Sequence, residues 1–394
     1  MQVKGFLAAA VEAGIRYPNR LDLGMVFSTT PAVTAGVFTT NKVKAAPLLL
    51  DIERLRSGQA QVVLVNSGNA NACTGQEGMD LAVATSAMAA KELGIDSSLV
   101  QVASTGVIGQ QLSPEPFARA MPELVAKLSS DGFAELSRAI MTTDLVAKTS
   151  LATIEVDGVE VTLLGVAKGS GMIMPNMATM LCFIATDANI ERALLDQLLK
   201  EGVEHSFNRI TVDGDTSTND MVLVMANGAS GNALISDSSS PAAVRFSAAL
   251  AQVCHELALK IVADGEGASK LVTLRVTGAE DETQAVLAAR TIANSALVKT
   301  AFFGEDANWG RIIAALGRSE CNFDPNNVAI SFDQVQLVEK GLFVGGDVEE
   351  AATKVLQQPA FTVTVDLGEG SCTGEVYTCD LSYDYIKINA DYRS

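Results

Sequence analysis

The stretch Lys168-Gly-Ser-Gly-Met-Ile-Met-Pro-Asn-Met-Ala-Thr-Met-Leu181 holds the residue types best suited to chemistry in this chain. A glycine-punctuated loop leads through Met174-Pro175-Asn176 to Ala178-Thr179, directly before the apolar run Met180-Leu-Cys-Phe-Ile-Ala185. Four of the twelve methionines fall between Met172 and Met180. A threonine at the seam between a loop and a buried strand becomes a nucleophile once the bond before it is cut. Its hydroxyl attacks and its freed α-amine takes the proton. An α-amine titrates at roughly 7.7–8.0, which suits a general base near neutral pH. Thr179 is internal, so the scheme requires cleavage at Ala178-Thr179. The Thr179 hydroxyl would attack the Ala178 carbonyl, and water would open the resulting ester. The same stretch also reads as a plain turn followed by a core strand whose first residue is Thr179.

Acyl transfer further needs donors for an oxyanion. Thr105-Gly106 offers a hydroxyl beside a backbone N–H, with glycine permitting close approach, although the pair also fits a simple strand-to-helix turn. Lys168 is a candidate to hold a substrate carboxylate. Its segment resembles a phosphate loop but lacks the first glycine of GxxxxGK[ST] and has Gly169 after the lysine. Glu266, between Gly265 and Gly267, either faces a substrate amine or is an exposed turn glutamate. Asn389 and Ser394 read by position as frayed tail residues. Only His205 and His255 are available as imidazoles. A Ser-His-Asp triad or a His-rich zinc site therefore has little to draw on.

The elements that must position these residues follow from periodicity. Short strands are expected at 24–28 and 35–40, and buried strands at 61–65 and 99–103. The latter two run into the polar loops Asn66–Ala72 and Ser104–Gly109, where α/β folds place sites. Helices are expected at 76–93, 114–128 and 132–140. Lys148–Val156 and Val159–Val166 flank Asp157-Gly158, a hairpin signal. Beyond Ala185 come a helix at 191–201, a strand at 220–226, a helix at 241–263, a strand at 271–276 and a helix at 282–294. Another helix opens near Arg311, and 327–345 and 360–379 are strand-rich. The pattern predicts an α/β architecture with substantial antiparallel sheet.

At 394 residues the chain is long enough for a large core, and 48% apolar with 19% charged residues marks it as globular. The balance of 28 basic and 46 acidic residues, net −18, argues against a nucleic-acid or anionic-membrane partner. It leaves anionic small substrates open, because a local cation decides those. The six cysteines form no CxxC pair and fit reduced thiols in a cytosolic protein. No uncharged apolar run near the ~18 residues of a membrane helix is evident.

Several long segments, in order, closely resemble the ornithine acetyltransferase family, also called glutamate N-acetyltransferases. They are Ala35–Asn41, Asn66–Ala72, Ser104–Gly109, Met141–Asp144, Lys168–Met180, Asp213–Asp220, Phe303–Arg311 and Asp384–Tyr392. The resemblance spans essentially the whole chain. It implies stacked mixed and antiparallel sheets sandwiched by helices, and self-cleavage into an α chain of 1–178 and a β chain of 179–394. It implies Thr179 as the acetyl-carrying nucleophile, with Thr105 and Gly106 at the oxyanion hole. Thr142, Lys168, Thr179, Glu266, Asn389 and Ser394 match the substrate-binding positions, Ser394 replacing an expected threonine. The implied reaction moves acetyl from N2-acetylornithine to glutamate in arginine biosynthesis, by ping-pong transfer, in a cytoplasmic assembly of two α and two β chains. No metal or organic cofactor is implied, and acetyl-CoA stands open as a second acetyl donor. Two other readings remain at this point. One is a self-cleaving aminopeptidase or amidase of the same broad fold, and the other an uncleaved binding protein.

Overall fold

The computed structural model describes residues 1–174 and 180–391. The part before the central stretch supplies β1 (Phe6–Val11), β2 (Leu23–Phe38), β3 (Gln59–Asn69), β4 (Val100–Val107), β5 (Lys148–Val156) and β6 (Val159–Lys168). After it come β7 (Leu181–Thr186), β8 (Ile210–Thr211) and β9 (Met221–Ala226). Helices α1 (Ala46–Arg54), α2 (Gly75–Leu93), α3 (Glu115–Ala126), α4 (Phe133–Ala139), α5 (Arg192–Glu204) and α6 (Pro241–Ala263) pack on these strands. The first sheet runs β4-β3-β2-β9-β7-β6-β5, with β1 paired to β2. Pairs β3/β4 and β7/β9 are parallel and the others antiparallel. Strands from either side of residue 178 interleave. β7 and β9 lie between β2 and β6, so a chain cut at 178/179 would remain one hydrogen-bonded sheet.

The remainder contributes β10 (Leu271–Ala279), β11 (Ala329–Phe332), β12 (Val335–Glu339), β13 (Leu342–Phe343), β14 (Ala360–Asp366) and β15 (Cys372–Cys379). With β8 they form a second mixed sheet, β13-β12-β11-β14-β10-β15-β8. It packs with α7 (Glu282–Ala293), α8 (Ala296–Phe303), α9 (Trp309–Leu316) and α10 (Val348–Leu356), and α11 (Tyr383–Asp391) ends the described chain. Two mixed sheets with helices match the expected fold class.

Every residue of β7 and β9 is buried. A strand covered on both faces reads as a continuous apolar run, which is why Leu-Cys-Phe-Ile-Ala and Met-Val-Leu-Val-Met lack alternation. Cys182, Ile184, Val222 and Val224 face α5 and α6, while Phe183, Leu223 and Met225 share a core with Leu48, Phe133 and Leu136. The hairpin into the central stretch forms as expected. Asp157 and Gly158 have φ of 52° and 82°, the left-handed pair that a two-residue hairpin turn requires.

Helix α6 starts at Ser240, whose hydroxyl accepts the Ala243 N–H, with Pro241 at its first position. By length and composition alone α6 is apolar enough to cross a membrane, although Arg245, Glu256 and Lys260 interrupt its apolar run, in line with the sequence expectation. Its face Phe246, Leu250, Val253, Leu257 and Ile261 is fully buried in the core, as in the central helix of a globular fold. Gly165 of β6 permits this approach, since a Cβ there would lie 2.7 Å from Leu257 Cδ1.

Two expected loops are partly strand. β3 continues to Asn69 and β4 to Val107, with Asn66 opposite Ser104 and Gly68 opposite Gly106. The polar side chains are tolerated because each finds a partner. Ser67 Oγ donates to Ala139 O at 2.7 Å, Asn66 Nδ2 to Asn69 O at 2.9 Å, and Ser104 Oγ to Asn66 Oδ1 at 2.7 Å. Helix α10 lies between the two strand-rich segments without having been expected.

Candidate active site

A cavity of about 80 Å³ opens where the ends of β4 and β6, the 142–143 turn, the 217–219 loop, the Gly265–Gly267 turn and α11 converge. Thr105, Gly106, Thr142, Lys168, Glu266 and Asn389 all line it, although the chain separates them by up to 284 positions. Ala178, Thr179 and Ser394 lie outside the described residues. Met172, close before the expected cut, also lines the cavity.

Thr105 and Gly106 sit in the last residues of β4 rather than in a turn. Gly106 has φ of 133°, and a Cβ there would lie 2.3 Å from the Gly68 carbonyl carbon, so only glycine fits. The Asn219 amide stitches this edge together, donating to Ala70 O at 2.6 Å and Ser104 O at 2.8 Å. Lys168 Nζ donates to Thr105 Oγ1 at 3.4 Å. With that oxygen serving as acceptor, the Thr105 hydroxyl proton is left to donate elsewhere.

Lys168 is the last residue of β6 and is buried. Burial pushes its ammonium pKa below the ordinary value, against the opposing pull of Asp144, Asp220 and Glu266. A neighbouring buried lysine, Lys148, is committed elsewhere. Its Nζ lies 2.7 Å from Asp144 Oδ1 and 2.5 Å from Asp264 Oδ2. Lys168 is therefore the buried cation that meets the cavity. Asp144 ties the arrangement together by accepting Gly169 N–H at 2.7 Å and Thr142 N–H at 3.0 Å. Burial would raise its carboxyl pKa, but Lys168 and Lys148 outweigh that and hold it at about 2. Asp264 also accepts Leu145 N–H at 3.1 Å, locking the 142–146 turn to the end of α6.

Glu266 is buried, not the exposed turn residue that its glycine neighbours suggest. Its N–H donates to Ser170 O at 2.8 Å, and its Oε2 accepts Asn389 Nδ2 at 2.8 Å. Asn389 is consequently a site residue on α11 rather than part of a frayed tail. Gly171 faces the Glu266 carboxylate so closely that a Cβ would lie 2.4 Å from it.

The loop Asp213–Asp220 brackets the central stretch. Asp213 accepts Met172 N–H at 2.6 Å and Ile173 N–H at 2.8 Å, and Thr216 Oγ1 donates to Met174 O at 2.9 Å. On the far side Met180 N–H donates to the Asp220 carboxylate, and Met221 N–H to Met180 O at 3.1 Å. Neither histidine reaches the cavity. His205 lines a separate groove, and the His255 ring packs edge-on to Tyr377 at 5.3 Å.

Residues 7–394 match the ArgJ family model. The chain belongs to the ArgJ family. A relative from Desulfotalea psychrophila named arginine biosynthesis bifunctional protein ArgJ is 57% identical over 394 residues, covering all of both chains. One of the same name from Geobacter sulfurreducens is 52% identical, also over all of both chains. A crystal structure of the arginine biosynthesis bifunctional protein from Bacillus halodurans is 43% identical, with a TM-score of 0.51. The match covers 53% of this chain and 98% of that one, so the solved chain is about half as long as this one.

Several residues that shape this cavity escaped the sequence reading. Asp144, Lys148 and Asp264 form its buried charge network, and Asn219 holds β4 in place. Asp144 lies inside Met141–Asp144, and Asn219 and Asp220 inside Asp213–Asp220, segments that had drawn notice without a role. Lys148 and Asp264 carried no signal, since one opens a hairpin strand and the other caps a helix 116 positions away.

Proposed function

We propose that this protein transfers acetyl from N2-acetyl-L-ornithine to L-glutamate in arginine biosynthesis, and that it also acetylates glutamate from acetyl-CoA. The observation that carries this reading is the end-to-end match to relatives named as arginine biosynthesis bifunctional proteins. The geometry supports it, because Lys168, Thr105 and Gly106 meet in one cavity.

In this reading the chain first cuts itself. Thr179 Oγ attacks the Ala178 carbonyl carbon and the C–N bond breaks. The departing nitrogen takes a proton, and water hydrolyses the ester to leave chains 1–178 and 179–394. In transfer, the Thr179 α-amine takes the hydroxyl proton as Oγ attacks the acetyl carbon. Thr105 Oγ–H and Gly106 N–H stabilise the oxyanion. Ornithine leaves with its amine protonated by the α-ammonium; the glutamate amine then attacks acetyl-Thr179 and passes its proton to the α-amine, which returns it to Oγ as the ester C–O bond breaks and N-acetylglutamate leaves. Donor and acceptor share an α-carboxylate, so one fixed cation, Lys168, serves both. Thr142, Glu266, Asn389 and Ser394 complete substrate binding. No step calls for a metal or organic cofactor.

The interleaved strands around β7 and β9 support two chains staying together after cleavage. The half-length chain in the Bacillus halodurans structure is the size that such processing leaves. The reading includes assembly of two α and two β chains in the cytoplasm, with neither nucleic acid nor membrane as partner. The free cysteines suit that compartment.

The test is to incubate purified protein with acetylornithine and glutamate while measuring ornithine and N-acetylglutamate, and to sequence the fragments' N-termini. Stoichiometric products and a fragment starting at Thr179 are expected. Acetate release without N-acetylglutamate would favour the amidase reading, and a fully active uncut chain would exclude the N-terminal nucleophile.

A further inference from the structure

The chain is acidic overall, at net −18, yet residues 1–50 hold five basic and two acidic residues, Lys4, Arg16, Arg20, Lys42 and Lys44 against Glu12 and Asp22. Four of the five basic residues lie on two loops that border the cavity. The loop between β1 and β2 is closed at its base by Asp22, whose carboxylate accepts the Ala13 and Ile15 N–H groups at 2.6 Å each. Gly14 and Asn19 turn it, with φ of 71° and 60°. Arg16 of this loop packs on Gly68, where a Cβ would lie 3.0 Å from the Arg16 Cβ, and Gly68 is paired with the cavity residue Gly106. Arg20 donates to the carbonyls of Met141 and Thr142, and Thr142 lines the cavity. The second loop carries Lys42 and Lys44. Asn41 Nδ2 donates to Thr216 O and Ala45 N–H to Thr218 O, each at 3.0 Å, which seats it on the segment that supplies Ser217 and Asn219 to the cavity.

Both arginines are half-buried, and neither lines the cavity itself. Among the described residues neither is paired with a carboxylate. Arg16 Nη1 donates to Gly68 O at 3.4 Å and Arg20 uses Nη2, so each guanidinium keeps Nε and its other Nη for a further acceptor. The Arg16 Cζ sits 5.2 Å from the Tyr17 ring centroid, a cation–π contact that holds the fork in place. Such planar forks match phosphate oxygens bidentately. A ligand that uses them carries anionic groups remote from its acyl carbon, which describes acetyl-CoA and not acetylornithine. We propose that Arg16 and Arg20 dock the phosphate groups of acetyl-CoA at the cavity rim, with the thioester arm running inward to Thr105 and Gly106. The inference rests on the acetyl-CoA half of the reading above and adds where the nucleotide end is held. Lys42 and Lys44 strengthen the local positive field, which admits a polyanion to a molecule whose overall charge repels it.

The test compares two thioester donors with glutamate as acceptor. Acetyl-CoA carries the phosphates, and S-acetyl-N-acetylcysteamine carries the same thioester without them. Arg16→Ala and Arg20→Ala should each raise KM for acetyl-CoA by about tenfold, the scale of one lost charge-assisted hydrogen bond, while kcat/KM for the truncated donor stays within about twofold of wild type. Arg16→Lys and Arg20→Lys keep the charge and should recover part of the loss. Equal losses with both donors would overturn the proposal by assigning the arginines to bracing Gly68 and Thr142, and an unchanged KM for acetyl-CoA would overturn it outright. In the wild type, higher ionic strength should raise KM for acetyl-CoA more than for the truncated donor. Identical salt responses would refute the docking site without any variant being made. A wild type that uses acetyl-CoA but not the truncated donor would support it, and acetylornithine then serves as the control donor. A wild type that acetylates glutamate from acetylornithine but from neither thioester would instead defeat the acetyl-CoA reading itself.

Discussion

Asp144→Asn tests the charge network beneath the cavity. The substitution is isosteric but neutral. It removes the anion that lies 2.7 Å from Lys148 Nζ and holds both Gly169 N–H and Thr142 N–H. The Asp144 carboxyl is lowered from 3.8 to about 2, against burial, by Lys168 and Lys148. A depression of that size corresponds to roughly 2 kcal/mol of stability at neutral pH. Removing one partner of a buried pair outright costs about 3–5 kcal/mol. Asparagine keeps one acceptor oxygen and Lys148 keeps Asp264, so the expected loss is near the lower figure. The sign follows from the depressed folded value. The stabilisation is fully present above the unfolded pKa and is lost as pH falls through the folded one, between about pH 4 and pH 2. Urea unfolding of both proteins, followed from pH 7 to pH 2, reads it directly. The wild type should be the more stable at pH 7, and the gap should close below pH 4. Equal stability at pH 7, or a gap independent of pH, would refute the assignment of Asp144 as a carboxylate held ionised by the two lysines.

Two further outcomes concern transfer itself. Thr105→Val should lower kcat by about 10²-fold, the scale for one lost oxyanion donor, with cleavage and folding retained. An unchanged rate in fully cleaved protein would remove Thr105 from the reaction. Lys168→Ala should raise KM for acetylornithine and for glutamate together, because both present the same carboxylate, and initial-rate kinetics on cleaved protein would show it. A change confined to one substrate would contradict a shared anchor.

The sequence by itself determined the chemistry on offer and much of the local structure. Thr179 before an apolar run, too few histidines for a triad, and Asp157-Gly158 between two strands are properties of neighbouring residues. Local rules of backbone and side chain suffice to read them. The apolar runs of β7 and β9 likewise announced strands covered on both faces. What only the tertiary structure decided is which polar groups lose water and which charges meet. Lys168 and Lys148 are both lysines near strand ends. One is bound by Asp144 and Asp264 and the other meets the cavity, and the difference depends on Asp264 arriving from the end of α6. Glu266 and Asn389 looked like a turn residue and a tail residue until α11 brought them to 2.8 Å. Thr105 and Gly106 looked like a turn until pairing with β3 extended β4 through them. Burial and long-range pairing depend on how distant segments pack, and short-range residue patterns carry no record of that.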